Sequence, residues 1–375
     1  MKRLFAGAIL VLFLIPIPLL NAANLLVPSF ELITYGYLEG GSFNLRTRGD
    51  IDFRIEGGYK FGGSIVLGFQ NDALENIFTD TEESADNTLT FKAANILVRE
   101  IFALPLNLTY FTGESDIFCN GDTFVERFGS DSFASKYRGY VYFPNSTVYD
   151  GIHTILGTGF AVDTGTLWEK ALLSLYLYQD GYLGQGKYST DLRGLLNYTN
   201  FKLEAFLGAT FGANTYGIYR GGLLLYYKAG ATGEFLTQVG IPRWDVDTDT
   251  FNIGLFYFLF EPRVNLDKMS IIMTLFWHPE YYLQTETEEL GSIDINIDFR
   301  FGESETSELS GGVESNLAFS TAVTETETDQ FRARISPYMS VISSGVIWDF
   351  KVQAKVFPFD LSDIVEAFIG VRAEF

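Results

Sequence analysis

Few residues of the chain have the types and spacing that catalysis usually requires. The chain has only two histidines and one cysteine. His153 lies close to Asp150 and His278 lies close to Glu280, so an acid–base pair can be drawn at each histidine. Neither pair belongs to a larger constellation, and a histidine near a strand end is more often an interfacial residue. Cys119 is expected to be a small buried side chain. We therefore expect no catalytic residues and no enzymatic activity.

The acidic run Asp245, Asp247 and Asp249 has the spacing of the first half of a calcium-binding loop. Its sixth position holds Thr250 where such a loop needs glycine, and its twelfth holds Phe256 where it needs glutamate. A single cysteine also excludes a zinc site built on a CxxC pair. We expect no bound metal and no cofactor.

The overall composition narrows the class of protein. Lys and Arg total 26 against 47 for Asp and Glu, and the net charge of −21 argues against a partner with a phosphate backbone, so no nucleic acid is expected. The chain is 47% hydrophobic and only 19% charged, unlike a disordered protein. Aromatic residues make up 16% of the chain and glycines number 37, which favours many strands and tight turns over a helical bundle.

In many segments of the chain, apolar and polar residues alternate. Segments 51–60, 201–211, 293–301 and 348–356 are examples. Successive side chains of a strand point to opposite faces, so each segment has one apolar and one polar face. A soluble sandwich would bury the apolar face, whereas a membrane barrel would turn it towards lipid.

Strand length and aromatic placement favour the membrane barrel. The segments run for about ten residues, the membrane-crossing length of a tilted strand, whereas soluble strands average about five or six. Several segments carry aromatic residues at their ends, as the interfacial girdles of a barrel require; examples are Tyr59, Phe61, Trp277 and Trp348.

The N-terminus has the three parts of a secretory signal peptide. A basic head at residues 2–3 precedes the uncharged run 4–20, and small residues follow at 22–23. A retained transmembrane helix is the alternative, but the run contains two prolines. We expect a cleaved signal peptide over 1–22 and one barrel domain over 23–375.

The C-terminus supplies the most specific pattern. The chain ends at Phe375, and segment 367–375 alternates, with apolar or small residues at its odd positions. Together with the leader and the ladder of alternating segments, this ending resembles the terminal signal of bacterial outer-membrane β-barrel proteins of the porin-like kind. The resemblance implies that the barrel-assembly machinery recognises the last strand through Phe375 and that the protein is integral to the outer membrane.

The fold class that follows is all-β, a transmembrane antiparallel up-and-down barrel. Alternation marks nineteen candidate strands, among them 136–143 and 250–260. Since a closed bacterial barrel has an even number, we expect about 16 strands, within 14–18. The tight turns at 198–200, 228–233 and 343–345 are predicted on the periplasmic side. The longer acidic connections are predicted on the outside; they are 242–250, 279–290 and 321–329.

Alternation must turn the charged residues of the strands inward, because Lys or Arg facing hydrocarbon costs about 2–4 kcal/mol at mid-depth. A lumen merely filled by these charges is one alternative, but about sixteen to eighteen strands leave an aqueous channel. Five late cations are expected to form a basic stripe. The predicted pore-lining residues are Arg54, Glu56, Arg193, Lys202, Glu204, Asp294, Asp298, Arg300, Arg332, Arg334, Asp349, Lys351 and Lys355, with the stripe formed by Arg300, Arg332, Arg334, Lys351 and Lys355.

The long connection 113–135 is acidic and has Arg127 as its one Lys or Arg before residue 135. It is similar in placement and charge to the early loop of general porins, which folds into the barrel and narrows it with acids facing a basic wall. It lacks the Pro-Glu-Phe-Gly sequence that such loops often show, and packing over the outside is the alternative. The constriction candidates are Glu114, Asp116, Asp122, Glu126 and Asp131.

These observations lead to one functional hypothesis and one alternative. The hypothesis is a passive diffusion channel for small hydrophilic solutes or ions, with a weak preference for cations because of its acidic mouth. The alternative is a surface adhesin or receptor, or a structural barrel without conductance. Expected partners are outer-membrane lipid, the barrel-assembly machinery and small solutes or ions, and a homo-oligomer is one option.

Overall fold

The fold is that of a computed structural model. The expected signal peptide at 1–22, the candidate strand at 136–143 and the terminal Phe375 lie outside the residues that it describes. The described residues are 24–39, 42–71, 87–135, 151–165, 167–212, 217–282, 285–286, 291–302, 307–320, 331–359 and 365–374.

Strands make up most of the described chain. They are β1 (Asn24–Glu39), β2 (Ser42–Gly57), β3 (Phe61–Asn71), β4 (Asn87–Val98), β5 (Asn107–Phe118), β6 (His153–Asp163), β7 (Ala171–Asp180), β8 (Lys187–Tyr198), β9 (Phe201–Gly212), β10 (Ile218–Ala229), β11 (Gly233–Asp245), β12 (Tyr257–Leu266), β13 (Met269–Trp277), β14 (Tyr281–Tyr282), β15 (Thr285–Glu286), β16 (Ile293–Phe301), β17 (Leu309–Phe319), β18 (Phe331–Ser343), β19 (Val346–Phe357) and β20 (Val365–Glu374). Eighteen of them form one closed antiparallel sheet, because β1 pairs with both β2 and β20. The other two, β14 and β15, form a separate hairpin in the connection after β13.

The barrel has 18 strands, so the expectation of about 16 is wrong, although the number lies at the upper bound of the predicted range. β5 pairs directly with β6, and the candidate strand 136–143 between them lies outside the described residues. The other candidate segments each overlap a barrel strand. The largest displacement is at 250–260, where a 3-10 turn at Ile253–Leu255 delays the start of β12 to Tyr257.

The side-chain alternation is the reverse of that in a soluble sandwich. On β7, Leu173, Leu175 and Leu177 are exposed on the outside, whereas Ser174 and Tyr176 are buried on the inside. Other barrel strands repeat this pattern, which gives the wall an apolar outer surface of the kind that a lipid-facing barrel needs. Within the described part of the chain, no helix is long and apolar enough to span a membrane.

The connections separate into two groups at the two ends of the barrel. The turns predicted on the periplasmic side at 198–200, 228–233 and 343–345 all lie at the end where β1 begins and β20 finishes, which we call the terminal end. β11 finishes and β12 begins at the opposite end, which is also where β17 finishes and β18 begins; we call it the long-connection end. This distribution follows from strict up-and-down topology with an even strand number.

The wall is interrupted where β5 and β6 leave it together. The last β5 residue paired with β4 is Gly113, opposite Ala93, and the first β6 residue paired with β7 is Gly157, opposite Asp180. Beyond these two glycines, β5 and β6 pair only with each other in the described ladders. Residues 114–118 and 153–156 therefore form a two-stranded inward ribbon that projects into the lumen.

Two glycines that face each other permit this departure. Gly113 and Gly157 are directly opposite in the register, with φ values of +88° and +154°. A Cβ at Gly113 would collide with the backbone carbonyl oxygen of Lys92, and one at Gly157 with that of Gln179. Both the backbone conformation and the close approach therefore require glycine.

The substitution Gly157→Ala tests this requirement. We expect it to lower the free energy of unfolding by about 2–4 kcal/mol, because it combines an unfavourable φ with a backbone collision. Gly230→Ala is the matched control, since Gly230 has φ +73° but a Cβ added there would have nothing within 4 Å, and it should cost about 1 kcal/mol. Urea unfolding of both variants in lipid vesicles measures the difference. If both variants lost the same free energy of unfolding, the close approach of the backbone at Gly157 would not be what requires glycine there.

Candidate functional site in the barrel lumen

The inward ribbon continues into residues 119–135, which we call the inward segment. It contains the only described α-helix, α1 (Asp122–Phe128), which begins after Gly121 and ends before Gly129, both with positive φ. This connection was predicted to fold either into the barrel or over its outside, and the described residues lie inside.

Aromatic packing fixes one side of the ribbon and inward segment to the wall. Phe118, Phe124 and Phe133 are fully buried. Phe118 packs on Phe206 of β9 with ring centroids 5.1 Å apart, and Phe133 stacks on Tyr226 of β10 at 4.7 Å. Burial of three phenylalanines excludes water from this half of the lumen and stabilises the packing of the segment against the wall.

A buried charge cluster links the ribbon, the helix and the wall. Arg193 on β8 donates from Nε to Glu204 Oε1 (2.7 Å), from Nη1 to Asp116 Oδ2 (2.8 Å) and from Nη2 to Thr123 Oγ1 (2.9 Å). The backbone N–H of Cys119 donates to the same Glu204 oxygen at 2.7 Å. One guanidinium thus connects two barrel strands to the end of β5 and the first turn of α1.

Arg193 and Glu204 were predicted to line a pore, and the structure corrects this assignment. Both side chains are 0% exposed. The inward segment covers them, because the guanidinium and the carboxylate bind its residues directly. Lys202 is also buried, with Nζ 3.0 Å from Asn197 Oδ1 and 5.7 Å from the centroid of the Phe133 ring. These three residues are in contact with the segment and its neighbours rather than with an open passage.

A second anchor holds the end of the inward segment. Ser135 donates to Glu261 Oε2 at 2.7 Å, and Arg263 Nη2 donates to the carbonyl oxygens of Phe133 (3.0 Å) and Ala134 (2.7 Å). Arg263 and Glu261 also form an ion pair at 2.7 Å. The sequence analysis missed both residues, because the candidate strand 250–260 stopped just before them. The signal was present, since Glu261 and Arg263 continue the period-two pattern of β12.

The substitution Arg193→Met tests the charge cluster. It should lower the free energy of unfolding by about 3–5 kcal/mol, because it leaves buried carboxylates without a cationic partner. We also expect faster tryptic cleavage after Arg127 in the inward segment. The control Lys92→Met removes the ion pair between Lys92 and Asp50, both of which are exposed, and should change the free energy by less than about 1 kcal/mol. If the two variants had the same stability and the same cleavage rate, Arg193 would not anchor the segment.

The side of α1 that faces away from the aromatic cluster is acidic. A cavity of about 330 Å³ lies between this face and the inner wall of β4 to β7. Asp163 of β6 lies at its margin and binds Arg127 at 2.9 Å. Four predicted constriction residues line the cavity together, namely Glu114, Asp116, Asp122 and Glu126. Asp131 lies after α1, is exposed and does not line it.

Arg54 on β2 faces this acidic side across the lumen. Its Nη2 lies 4.0 Å from Glu126 Oε1, and its Nε forms a shorter ion pair of 3.0 Å with Asp52. The side chains of Arg54 and Glu126 are 48% and 62% exposed, so water reaches both. The predicted pore-lining residue Glu56 is exposed further along β2 towards the terminal end. The structure therefore brings an acidic helix face and a cationic wall residue into contact through a weak, hydrated pair.

The enclosure alters the acid–base behaviour of Glu126. Although exposed, its carboxylate lies within a walled lumen, and the resulting desolvation together with the charge of Asp116 raises the pKa of Glu126, while Arg54 and Arg127 oppose the shift. Glu126 therefore gains its proton at a higher pH than an unperturbed glutamate when the solution is acidified.

Neutralisation within the wall interrupts the basic stripe predicted on the late strands. Arg300 is paired with Asp298 at 2.8 Å, and Lys351 with Glu314 at 2.6 Å. Arg332, Arg334 and Lys355 are half-buried on the inner face near the long-connection end, where Arg334 and Lys355 are opposite each other in register. Two members of the predicted stripe are therefore neutralised by carboxylates of the wall.

Two predicted acidic wall residues also have partners. Asp349 binds Arg372 Nε at 2.8 Å, and Asp294 lies 3.0 Å from Nε2 of His278. His153 is buried within the inward ribbon, 3.4 Å from the hydroxyl of Tyr178. No group of three or more metal-ligating side chains occurs among the residues that the structure describes.

Comparison with known proteins identifies the fold. No protein-family model and no curated protein sequence matches the chain. Among solved structures, OccAB2 of Acinetobacter baumannii has 12% sequence identity and a TM-score of 0.54, with 94% of this chain and 98% of the other covered. OccD3 (OpdP) of Pseudomonas aeruginosa has 12% identity and a TM-score of 0.50, with 96% and 95% covered.

A third similar structure is a triple mutant of the Rhodopseudomonas blastica porin, with 11% identity and a TM-score of 0.44 over 94% of this chain and 100% of that one. The likeness to OccAB2 and OccD3, together with the closed antiparallel sheet, shows that the chain has the β-barrel fold of these two proteins.

Proposed function

We propose that the protein is a passive diffusion channel of the outer membrane for small hydrophilic solutes or ions. One observation carries this proposal: the inward segment is packed against the wall on one side only, and its other side presents hydrated charges to an open cavity. A barrel of this strand number is wide enough to contain such a segment and still leave an aqueous path. The alternative of an adhesin or a non-conducting barrel is not favoured by the similar structures.

The passage lies between the acidic face of α1 and the wall that carries Arg54. The cavity is lined by five carboxylates and by one cation, Arg127, so the local potential is negative; the carboxylates are Glu114, Asp116, Asp122, Glu126 and Asp163. Charges at the rim are screened within about 8 Å at physiological salt, whereas charges in a narrow passage are screened less. We therefore propose a weak preference for cations that the inward segment determines.

The proposal also covers the orientation of the barrel in the outer membrane and the export of the chain. The terminal end faces the periplasm, as its short turns suggest, and the acidic connections of the opposite end face outwards. Residues 1–22 direct export and are cleaved, and the assembly machinery recognises the final strand with Phe375. The mature protein comprises 23–375, and association of several copies is compatible with this arrangement.

Reversal potentials of the refolded protein across a salt gradient in planar bilayers test the proposed function. We expect conductance with a weak cation preference that fades as salt rises. The double variant Asp122→Asn, Glu126→Gln should reduce the cation-to-anion permeability ratio about two- to fivefold, because it removes two charges where screening is weakest. Asp247→Asn, in an exposed part of the connection after β11, is the control and should leave the ratio nearly unchanged.

The pH dependence of the same measurement has a defined sign. The carboxylate of Glu126 is charged above its raised pKa and neutral below it, so the cation preference should be full near neutral pH and decline as the solution is acidified. The decline should be smaller in Glu126→Gln. Strong anion preference would contradict the proposed passage, and absence of any conductance would favour the adhesin or structural alternative.

A further inference from the structure

The outer face of the barrel has a groove near its long-connection end. The groove has a volume of about 360 Å³ and lies between β9, β10, β11 and the connection that follows β11. Arg220 borders it, but its guanidinium binds Asp191 inside the wall through two contacts of 2.6 Å. The groove is formed mainly by Leu207, Tyr219, Gly221, Ile241, Trp244 and Phe256.

A glycine on the outward face creates this space. The side chains of Tyr219 and Leu223 point outwards from β10, and Gly221 lies between them without a side chain. The atom nearest to a Cβ added at Gly221 would be Leu207 Cδ2, at 2.8 Å. Because Leu207 is 71% exposed, a larger residue at 221 can displace its methyl groups outwards and fill the groove.

The connection after β11 forms the upper wall of the groove. An aromatic series runs from Trp244 to Phe251 (5.2 Å between ring centroids) and from Phe251 to Phe256 (5.8 Å). Phe251 and Ile253 are 56% and 72% exposed. Exposed apolar and aromatic side chains at this height are typical of the boundary between hydrocarbon and head groups, so this part of the connection lies at the membrane surface.

We propose that this groove binds one acyl chain of a lipid in the leaflet at the long-connection end. The occupant follows from continuity, because the groove opens directly onto the apolar outer surface of β9 and β10, where lipid chains are the surrounding solvent. The side chains of Leu207 and Ile241, which line the groove, are apolar and suit a flexible hydrocarbon chain. This site is on the outside of the wall and does not depend on whether the lumen conducts.

The affinity of the groove can be measured by native mass spectrometry. The refolded barrel in detergent is titrated with a saturated phosphatidylcholine, and the population carrying one lipid is counted. Gly221→Leu fills the groove and should weaken binding of the first lipid about tenfold. Ala205→Leu adds the same side chain to the outward face of β9 beside Leu223 and should leave binding unchanged. Phe256→Ala removes one wall and should also weaken binding, which provides a second variant if Gly221→Leu does not fold.

The position of the bound chain can be measured by fluorescence quenching. In a background where Trp168, Trp277 and Trp348 are replaced by Phe, a phosphatidylcholine with brominated acyl chains should quench Trp244 about twofold more strongly than in the same background with Gly221→Leu. Equal first-lipid affinity in Gly221→Leu and Ala205→Leu would overturn the proposal. The proposal would also be overturned if the wild-type barrel formed a dimer or trimer in which the brominated lipid did not quench Trp244. A second copy of the chain would then occupy the groove.

Discussion

The guanidinium of Arg193 is the contact on which the arrangement of the lumen depends. It is completely buried and binds one carboxylate of the wall, Glu204, and one of the ribbon, Asp116. The second oxygen of Glu204 has no hydrogen-bond partner in the described structure, so this carboxylate relies on Arg193 and on the N–H of Cys119. Burial makes the cluster cooperative, since removal of Arg193 leaves the Glu204 carboxylate, which water cannot reach, without a cationic partner.

The orientation of α1 follows from this anchor. With Thr123 bound to Arg193 and Phe124 buried against the aromatic cluster, the helix turns Asp122 and Glu126 to the opposite side. These two carboxylates are four residues apart and therefore lie on one helix face. The division of the lumen into a dry aromatic half and a hydrated acidic half is thus determined by a single short helix and its attachment. The proposed selectivity is a consequence of that division.

Much of the architecture was predictable because it depends on local patterns. Period-two alternation predicted the antiparallel strands of a closed barrel, and the turns at 198–200 and 343–345, which were predicted to share one side, lie at the same end. Alternation also predicted inward side chains, such as Asp298 and Arg300. It could not predict whether an inward charge meets water or another side chain, because this depends on packing between strands. Arg193 was therefore assigned to a pore wall, although its partner Asp116 is 77 residues away in sequence.

The strand number and the inward ribbon show a second limit of local patterns. Glycines 113 and 157 each resemble ordinary strand glycines in sequence, and only their opposition in the register shows that two strands leave the wall together. In the same way, the predicted strand 250–260 began too early, because a 3-10 turn precedes β12. The predicted strand therefore ended before Glu261 and Arg263. The sequence predicted Glu126 as an acidic constriction residue. It could not predict that Glu126 approaches Arg54, because this contact depends on closure of the whole barrel.

The central claim, that solutes pass along the acidic face of α1, is tested most directly by single-channel recording of Glu126→Cys. The native Cys119 is buried and its burial raises the pKa of the thiol, so it should not compete for a methanethiosulfonate reagent, which reacts with thiolates. Modification of Glu126→Cys with a bulky neutral reagent should reduce the conductance by about half or more, whereas the same modification of Asp247→Cys should not. Unchanged conductance after complete modification of Glu126→Cys would place the passage elsewhere and contradict the account.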